Sequence, residues 1–300
     1  MRTRRAFAVV ASSVFAAGLV GALPASSGAA VRPITTPSVV PGSRYLALGD
    51  SITFGYREST TVPAPNYSNA SSFIGYPQLV GSALRLKVTN AACPGETSSS
   101  LINTSGPSNG CTNSPPPNTS LSYRSRFPLH VRYTGSQLAF AVKYLRGHRN
   151  VRLVSLLIGA NDLLRCVSTT SDVCASAVEE QAVLSVVRSD IRAILSTIRR
   201  KAGYRGQLVI LTQYSPDYTS AFLTNGVSAL NSTVETAARP FRVLIANGYG
   251  QFYQGSLHSG ANPCPAGLLT QLGKPGRCGV HPSYAGQSLL ALSVERAIHH

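Results

Sequence analysis

The chain has 300 residues, and its 27 Lys and Arg outnumber its 11 Asp and Glu to give a formal net charge of +16 at pH 7. After the first thirty residues no segment is apolar enough to cross a bilayer, and neither a Cys-x-x-Cys nor a His-Glu-x-x-His motif occurs. Composition and motifs therefore give no support to a multispanning membrane protein or to a metal site.

The N-terminus has the three parts of a secretory signal. Met1–Arg5 is positively charged, Ala6–Leu23 is apolar, and Pro24–Ala30 is rich in small residues where cleavage would occur. Thr3–Phe7 also resembles a twin-arginine export signal. An uncleaved anchor is disfavoured by the serines and glycines of the apolar run. We therefore expect residues 1–30 to be a signal peptide and residues 31–300 to form a single exported domain.

Loss of Arg2, Arg4 and Arg5 with the signal takes the net charge from +16 to +13. A basic exported protein would be attracted to anionic surfaces such as phospholipid or the cell wall. Nucleic acid is not the expected partner, because the basic residues are scattered and no recognised binding motif accompanies them. Simple solubility is an equally good explanation of the charge.

Six cysteines follow the signal, and an even number in an exported chain favours disulfides over metal ligands. They fall into three close couples along the chain. We therefore expect the local pairs Cys93–Cys111, Cys166–Cys174 and Cys264–Cys278.

Strands and helices alternate along the rest of the chain. The expected strands are Tyr45–Leu48, Leu86–Ala92, Val151–Ile158, Gln207–Thr212 and Phe241–Ala246. The expected helices are Phe73–Arg85, Gly135–Gly147, Ala175–Lys201, Tyr218–Ala238 and Ala285–Ile298. The segments 55–72, 102–128, 166–174 and 249–280 are expected to be loops. This alternation predicts an α/β fold with a parallel sheet and helices on both faces.

Polar or turn-forming residues follow three of the strands, and a histidine precedes the last helix. Ser51, Gly95 and Asn161 stand at the strand ends, and His281 stands in the last loop. The carboxyl ends of parallel strands share one edge of the sheet, so these residues can meet there. Alone, Ser51 and Asn161 could each cap a helix and Gly95 could serve a turn. Together they offer a nucleophile, a base and oxyanion donors, as ester hydrolysis requires.

A second serine motif, Gly106–Gly110, matches the Gly-x-Ser-x-Gly pattern around Ser108. That pattern requires a strand before the serine and a helix after it. Ser108 lies instead in a loop rich in Pro and Asn, and we do not assign it a catalytic role.

With these motifs in order, the chain resembles the GDSL/SGNH hydrolases, secreted serine esterases and lipases. The resemblance implies a three-layer α/β/α, flavodoxin-like fold with a mostly parallel five-stranded sheet. It implies that Ser51 is the nucleophile and His281 the base. Gly95 N–H, the Asn161 side chain and Ser51 N–H would hold the oxyanion. No cofactor is implied.

The chain departs from the family at Cys278, where an aspartate usually stands three residues before the histidine. A disulfide-bonded cysteine cannot hold the imidazole with its side chain. We expect the main-chain carbonyl of Cys278 to orient His281, which would give a Ser-His dyad with backbone support. A carboxylate from elsewhere, such as Asp217, is the alternative.

The expected function is hydrolysis of carboxylic esters, lipid acyl esters first, through an acyl-serine intermediate. Deacetylation of carbohydrates or of small esters at the same site is one alternative. A catalytically idle wall-binding or lipid-binding protein is another. We expect a secreted or wall-associated monomer with an ester substrate.

Overall fold

The computed structural model describes residues 36–120, 122–274 and 276–298. The expected signal peptide, residues 1–30, lies outside the described residues and stays a prediction. From Thr36 onward the chain forms one compact unit. Among the described residues, no helix has both the length and the apolar character needed to cross a bilayer.

Five apolar segments pair into a parallel sheet in the order β2-β1-β3-β4-β5. These strands are β1 Arg44–Gly49, β2 Lys87–Asn90, β3 Val151–Leu157, β4 Gln207–Leu211 and β5 Leu244–Ala246. A separate antiparallel hairpin consists of β6 Leu269–Gln271 and β7 Cys278–Pro282. The predicted five-stranded sheet is confirmed, and the hairpin adds to it.

Helices cover both faces of the sheet. In chain order they are α1 Ser51–Phe54, α2 Tyr76–Ala83, α3 Ser98–Ile102, α4 Tyr123–Arg126, α5 Gln137–Gly147, α6 Ala160–Thr169, α7 Ala177–Ser196, α8 Ala221–Ala238, α9 Gly248–Ser256 and α10 Tyr284–Ile298. The three-layer α/β/α architecture is therefore as expected.

Alternating side chains of each strand divide the core into two halves. Leu46 and Leu48 of β1 pack with α5, α7 and α8 on one face, whereas Tyr45 and Ala47 pack with α2, α9 and α10 on the other. All four are fully buried. Successive side chains of a strand point to opposite faces, so a short apolar strand contributes side chains to the core on each face of the sheet.

Helix α7 shows why the periodic segments were predictable. Val187, Ile191 and Ile194 form one fully buried stripe along it, at the three- and four-residue spacing of a helix face. The helix continues as a π-helical turn, Thr197–Lys201, and the chain leaves it through Gly203 in the left-handed region, at φ +68.

Helices α6 and α9 are two of the elements that were not predicted, because tertiary contacts rather than local pattern stabilise them. Helix α6 occupies part of the expected loop 166–174, and Leu164 on it remains 45% exposed instead of joining a core stripe. Helix α9 contains several glycines, which disfavour helix. Its Phe252 is nevertheless fully buried, with its ring stacked 4.1 Å from that of Tyr214.

The three expected disulfides are all present. Each closes one of the loops that surround the carboxyl edge of the sheet: Cys93–Cys111, Cys166–Cys174 and Cys264–Cys278. The last of these ties the start of β7 to the segment before β6.

The buried stripe of α7 leads to a stability prediction. Ile191→Ala should lower the free energy of unfolding by about 2–5 kcal/mol, because it removes a fully buried side chain and leaves a cavity. Val186→Ala, on the same helix but 49% exposed, should change it by less than about 0.5 kcal/mol. Denaturant unfolding with the disulfides intact measures both, and equal losses would contradict the orientation of α7.

Candidate active site

Ser51 stands at the carboxyl end of β1, at the start of helix α1. The turn before it needs glycine, because Gly49 has φ +148 and a Cβ there would lie 2.3 Å from the Leu157 carbonyl oxygen. Asp50 caps α1 by accepting the Ile52 N–H at 2.9 Å. The short strand, the tight turn and the cap together place Ser51 at the sheet edge, where it is 8% exposed.

Gln137, a residue that the sequence reasoning did not single out, holds this turn from the opposite side. Its Oε1 accepts the Gly49 N–H at 2.6 Å, and its Nε2 donates to the Gly49 carbonyl at 3.0 Å and to Glu96 Oε2 at 3.0 Å. Both main-chain groups of Gly49 are thereby satisfied by one fully buried amide.

His281 lies on β7, 230 residues after Ser51, and the two side chains meet. The Ser51 Oγ is 3.0 Å from His281 Nε2, which is hydrogen-bonding distance. Beside it, the ring of Tyr56 packs edge-on against the imidazole, with centroids 4.8 Å apart. The structure therefore brings the predicted nucleophile and the predicted base together.

The two other predicted residues, Gly95 and Asn161, line the same cavity as Ser51 and His281. Asn109 links them: its N–H donates to the Gly95 carbonyl at 2.8 Å, and its Nδ2 donates to Asn161 Oδ1 at 2.9 Å. Because Oδ1 of Asn161 is the acceptor in that bond, its Nδ2 is left as a donor for the cavity.

Gly95 itself is constrained in conformation and in space. It has φ +79, and a Cβ there would lie 2.4 Å from the Asn109 carbonyl oxygen. A second link joins the two loops, because Asp162 accepts the Ser98 N–H at 2.9 Å and the Ser98 hydroxyl at 2.6 Å. Asp162 is thus a structural neighbour that fixes the loop of Gly95 against the helix of Asn161.

The prediction that the main-chain carbonyl of Cys278 accepts a hydrogen bond from His281 Nδ1 was wrong. The Nδ1 atom lies 2.7 Å from Glu58 Oε1, not against the Cys278 carbonyl. Cys278 and His281 both belong to the extended strand β7, in which three residues span about 10 Å. The alternative, Asp217, accepts instead from the N–H and hydroxyl of Thr219, two residues along its own turn.

Glu58 is the only acidic residue between Asp50 and Glu96, and it lay in a segment interpreted as a polar loop. Burial alone would raise its pKa, but the hydrogen bond and charge of His281, with the Thr270 hydroxyl, lower the pKa of Glu58 to about 2. An ionised carboxylate only accepts hydrogen bonds, so Nδ1 of His281 carries the hydrogen. Nε2 is then the acceptor for the Ser51 hydroxyl.

Three other carboxyl groups lie beneath the site and titrate in the opposite sense. Burial raises the pKa of Asp50 to about 7, even though the Ile52 N–H opposes the shift. Burial likewise raises the pKa of Glu96 to about 7 and that of Asp162 to about 6, against the hydrogen bonds that each accepts. These groups act as buried hydrogen-bonding partners of the loops.

The cavity in front of Ser51 has a volume of about 620 Å³. One part is lined by apolar side chains of α6 and α8: Leu163, Leu164, Val167, Phe222, Leu223 and Val227. Another part is lined by Tyr56, Tyr123 and the Asn109–Gly110 backbone segment. A pocket of this volume is in the range that holds a small organic ligand.

Two further sequence features have structural roles. Ser108 donates to the Asn113 carbonyl and accepts the N–H groups of Gly110, Thr112 and Asn113, so it organises its own loop. Among the described residues, the two Cys and Glu groups close enough to share an ion both contain a disulfide. Oxidised cysteines offer no thiolate ligand.

Residues 47–289 match the model of the GDSL-like Lipase/Acylhydrolase family. The chain belongs to this family. Membership makes it a hydrolase of the esterase class. No curated protein sequence matched the chain.

Solved structures share the fold of this GDSL-like hydrolase. The acetylxylan esterase Axe2 of Geobacillus stearothermophilus aligns with a TM-score of 0.53 and 17% identity over 88% of this chain and 97% of that chain. The structure of a GDSL-like protein of Parabacteroides merdae aligns with a TM-score of 0.52 and 18% identity over 88% of this chain and 99% of that chain. At such identities the likeness shows a common fold.

The buried carboxyl groups give a prediction for stability against pH. Folded Asp50, Glu96 and Asp162 keep their protons up to pH about 6 to 7, whereas the unfolded chain releases them near the ordinary values of 3.8 and 4.5. The unfolded state binds fewer protons in this window, so stability should fall as pH rises from about 4.5 to 7 and level off above it. Glu58, with its lowered pKa, has the opposite effect only below pH about 4.5.

Replacing Glu96 with Gln should remove part of this slope. The variant should gain about 1–3 kcal/mol relative to the parent on going from pH 5 to pH 8, because it has no buried carboxyl to ionise. Denaturant unfolding at the two pH values measures the difference. Parallel stability curves for parent and variant would show that Glu96 does not hold a proton in the folded protein.

Proposed function

We propose that this GDSL-family hydrolase is a serine esterase that cleaves esters of apolar acyl chains, such as lipid esters, through an acyl-serine intermediate. The observation that carries the proposal is the 3.0 Å contact between Ser51 Oγ and His281 Nε2 in a cavity with an apolar wall. A serine within hydrogen-bond reach of a base is the arrangement that nucleophilic catalysis needs.

In the first step His281 Nε2 takes the Ser51 proton while Oγ attacks the ester carbonyl carbon. The carbonyl oxygen gains negative charge and is held by the Gly95 N–H, Asn161 Nδ2 and Ser51 N–H. The protonated imidazole then gives its proton to the leaving alcohol, and the C–O bond of the ester breaks. In the second step His281 takes a proton from water, which attacks the acyl-serine, and Ser51 recovers its hydrogen as the acid leaves.

The choice of acyl group rests on the apolar wall between α6 and α8. Phe222 is 55% exposed and Leu164 45% exposed, so the wall continues from the cavity to the surface. Large apolar side chains at the mouth of a pocket suit a substrate that arrives with a hydrocarbon chain. A small acetyl group would leave most of this wall unused.

The place of action that we propose is outside the cell. Three disulfides are compatible with an oxidising compartment. The net charge, which is +16 for the whole chain and +13 without Arg2, Arg4 and Arg5, favours association with anionic lipid or wall surfaces. We infer no partner other than the ester substrate.

The nucleophile is tested by substitution. Ser51→Ala should reduce hydrolysis of a nitrophenyl ester by more than about 10³-fold and abolish labelling by a fluorophosphonate, because it removes the hydroxyl that contacts the base His281. Ser108→Ala, which changes the serine of the second motif, should still be labelled. A parent protein that neither hydrolyses esters nor reacts with the fluorophosphonate would instead be the non-catalytic binding protein.

The acyl wall is tested with a series of acetyl, butyryl, octanoyl and palmitoyl esters. The value of kcat/KM should rise with chain length until the wall is covered, by up to about fourfold per methylene, since burial of each contributes about 0.8 kcal/mol. Val227→Trp, which fills the space beside α8, should reduce hydrolysis of the longer esters and spare the acetyl ester.

Val178→Trp is the matched control, because Val178 is 78% exposed and does not line the cavity. It should leave the whole series unchanged. A preference of the parent for the acetyl ester, with no effect of Val227→Trp, would favour the deacetylase over the lipid esterase.

A further inference from the structure

We propose that Glu58 is the positioning carboxylate of His281 and replaces the acid that the chain lacks at Cys278. The proposal rests on the proposed function of Ser51 and His281, and it assigns a third residue to that site. It also assigns a supporting role to Gly279 and Thr270, which hold the carboxylate in place.

The Glu58 carboxylate is held by three donors. Its Oε1 accepts from His281 Nδ1 at 2.7 Å and from the Val280 N–H at 3.1 Å, and its Oε2 accepts the Thr270 hydroxyl at 2.6 Å. All three donors belong to the hairpin β6–β7. The carboxylate therefore bridges both strands of the hairpin as well as the imidazole.

The loop that carries Glu58 is itself attached to the hairpin. The Thr61 N–H donates to the Glu58 carbonyl at 3.0 Å, which closes a turn. The next residues pair with the hairpin through a bridge between Thr61 and Leu272 and a bond from the Val62 N–H to the Gln271 carbonyl. The loop is thus attached to the hairpin at this point, and this fixes the position from which the Glu58 side chain reaches His281.

Gly279 provides the space for the carboxylate. A Cβ at this position would lie 2.0 Å from Glu58 Oε1 and 2.5 Å from Thr270 Oγ1. Its backbone is not in the left-handed region, so the requirement for glycine here is one of space and not of φ. Any larger residue at 279 must displace the carboxylate from His281.

The chemical role follows from the charge and the bond direction. An anionic acceptor at Nδ1 keeps the hydrogen on that nitrogen and leaves Nε2 free to take the Ser51 proton. It also stabilises the imidazolium that forms when the proton arrives. The other polar neighbour packed on the ring, Tyr56, presents its ring edge-on and is not a carboxylate.

The decisive variant is Glu58→Gln, which keeps the size and the acceptor oxygen but removes the charge. We expect kcat to fall by about 10²- to 10⁴-fold. We also expect the acid limb of the pH profile of kcat/KM to move to lower pH, because the base loses its anionic partner. Asp217→Asn, which removes a carboxylate bound only within its own turn, should change neither.

A second test uses Gly279 and leaves every titratable group in place. Gly279→Ala should reproduce much of the loss seen in Glu58→Gln, because it pushes the carboxylate away. In the Glu58→Ala background the same substitution should cost little more, so the two losses should not add. Thr270→Val, which frees one carboxylate oxygen, should give a smaller loss, of about 2- to 10-fold.

The outcomes separate this proposal from the function on which it depends. Absence of ester hydrolysis and of fluorophosphonate labelling in the parent would overturn the proposed function. The NMR signal of the His281 Nδ1 hydrogen, which is measured without substrate, still tests the contact: it should move in Glu58→Gln and not in Asp217→Asn. An active parent with an unchanged Glu58→Gln variant would overturn the role of Glu58 alone.

Discussion

Gly49 at the end of β1 lies directly opposite Leu157 at the end of β3, and this register brings the loops after both strands to the same edge of the sheet. Strand β2 joins on the other side of β1, where Ala47 is paired with Asn90. The Cys93 N–H then donates to the Gly49 carbonyl at 3.2 Å, so the third loop also begins at this point. Three loops of unrelated sequence thereby contribute residues to one cavity.

The charges of the molecule are distributed very unevenly around this edge. The whole chain has only 11 acidic residues against 27 basic ones. Three of these acids are nevertheless buried under the loops of the site, and a fourth contacts the base. Asp50, Glu96 and Asp162 have raised pKa values because burial penalises their ionised forms, whereas Glu58 has a lowered pKa because it contacts His281. Carboxyl groups in one site thus differ in protonation through environment alone.

The sequence predicted the features that repeat along a strand or a helix, or that stand at a fixed place beside one. The sheet, the long helices and the placement of Ser51, Gly95 and Asn161 all follow from apolar strands that end in glycine and polar residues. The pairing of cysteines followed from their proximity along the chain. These are local signals, and tertiary contacts did not override them.

The partner of His281 carried no such signal. Glu58 is separated from it by 223 residues, and only the folding of the hairpin shows that the two meet. One clue was present, since Glu58 is the sole acid in a long polar stretch. Helix α6 was missed for a related reason, because Leu164 lines the cavity and stays 45% exposed instead of joining the core. Residues that line a functional site need not follow the apolar periodicity by which core residues of helices and strands are recognised.

The base does not stand at the edge of the parallel sheet. His281 belongs to a hairpin, and in an extended strand the residue three positions earlier points to the opposite face. A carboxylate at position 278 could therefore not reach Nδ1 while β7 stays extended. Delivery of the acid by a neighbouring loop removes this conflict: β7 can pair with β6, Cys278 can close its disulfide, and the imidazole still has an anionic partner. Because β7 is extended, an aspartate at position 278 could not serve as the partner of His281, and the chain has a cysteine there instead.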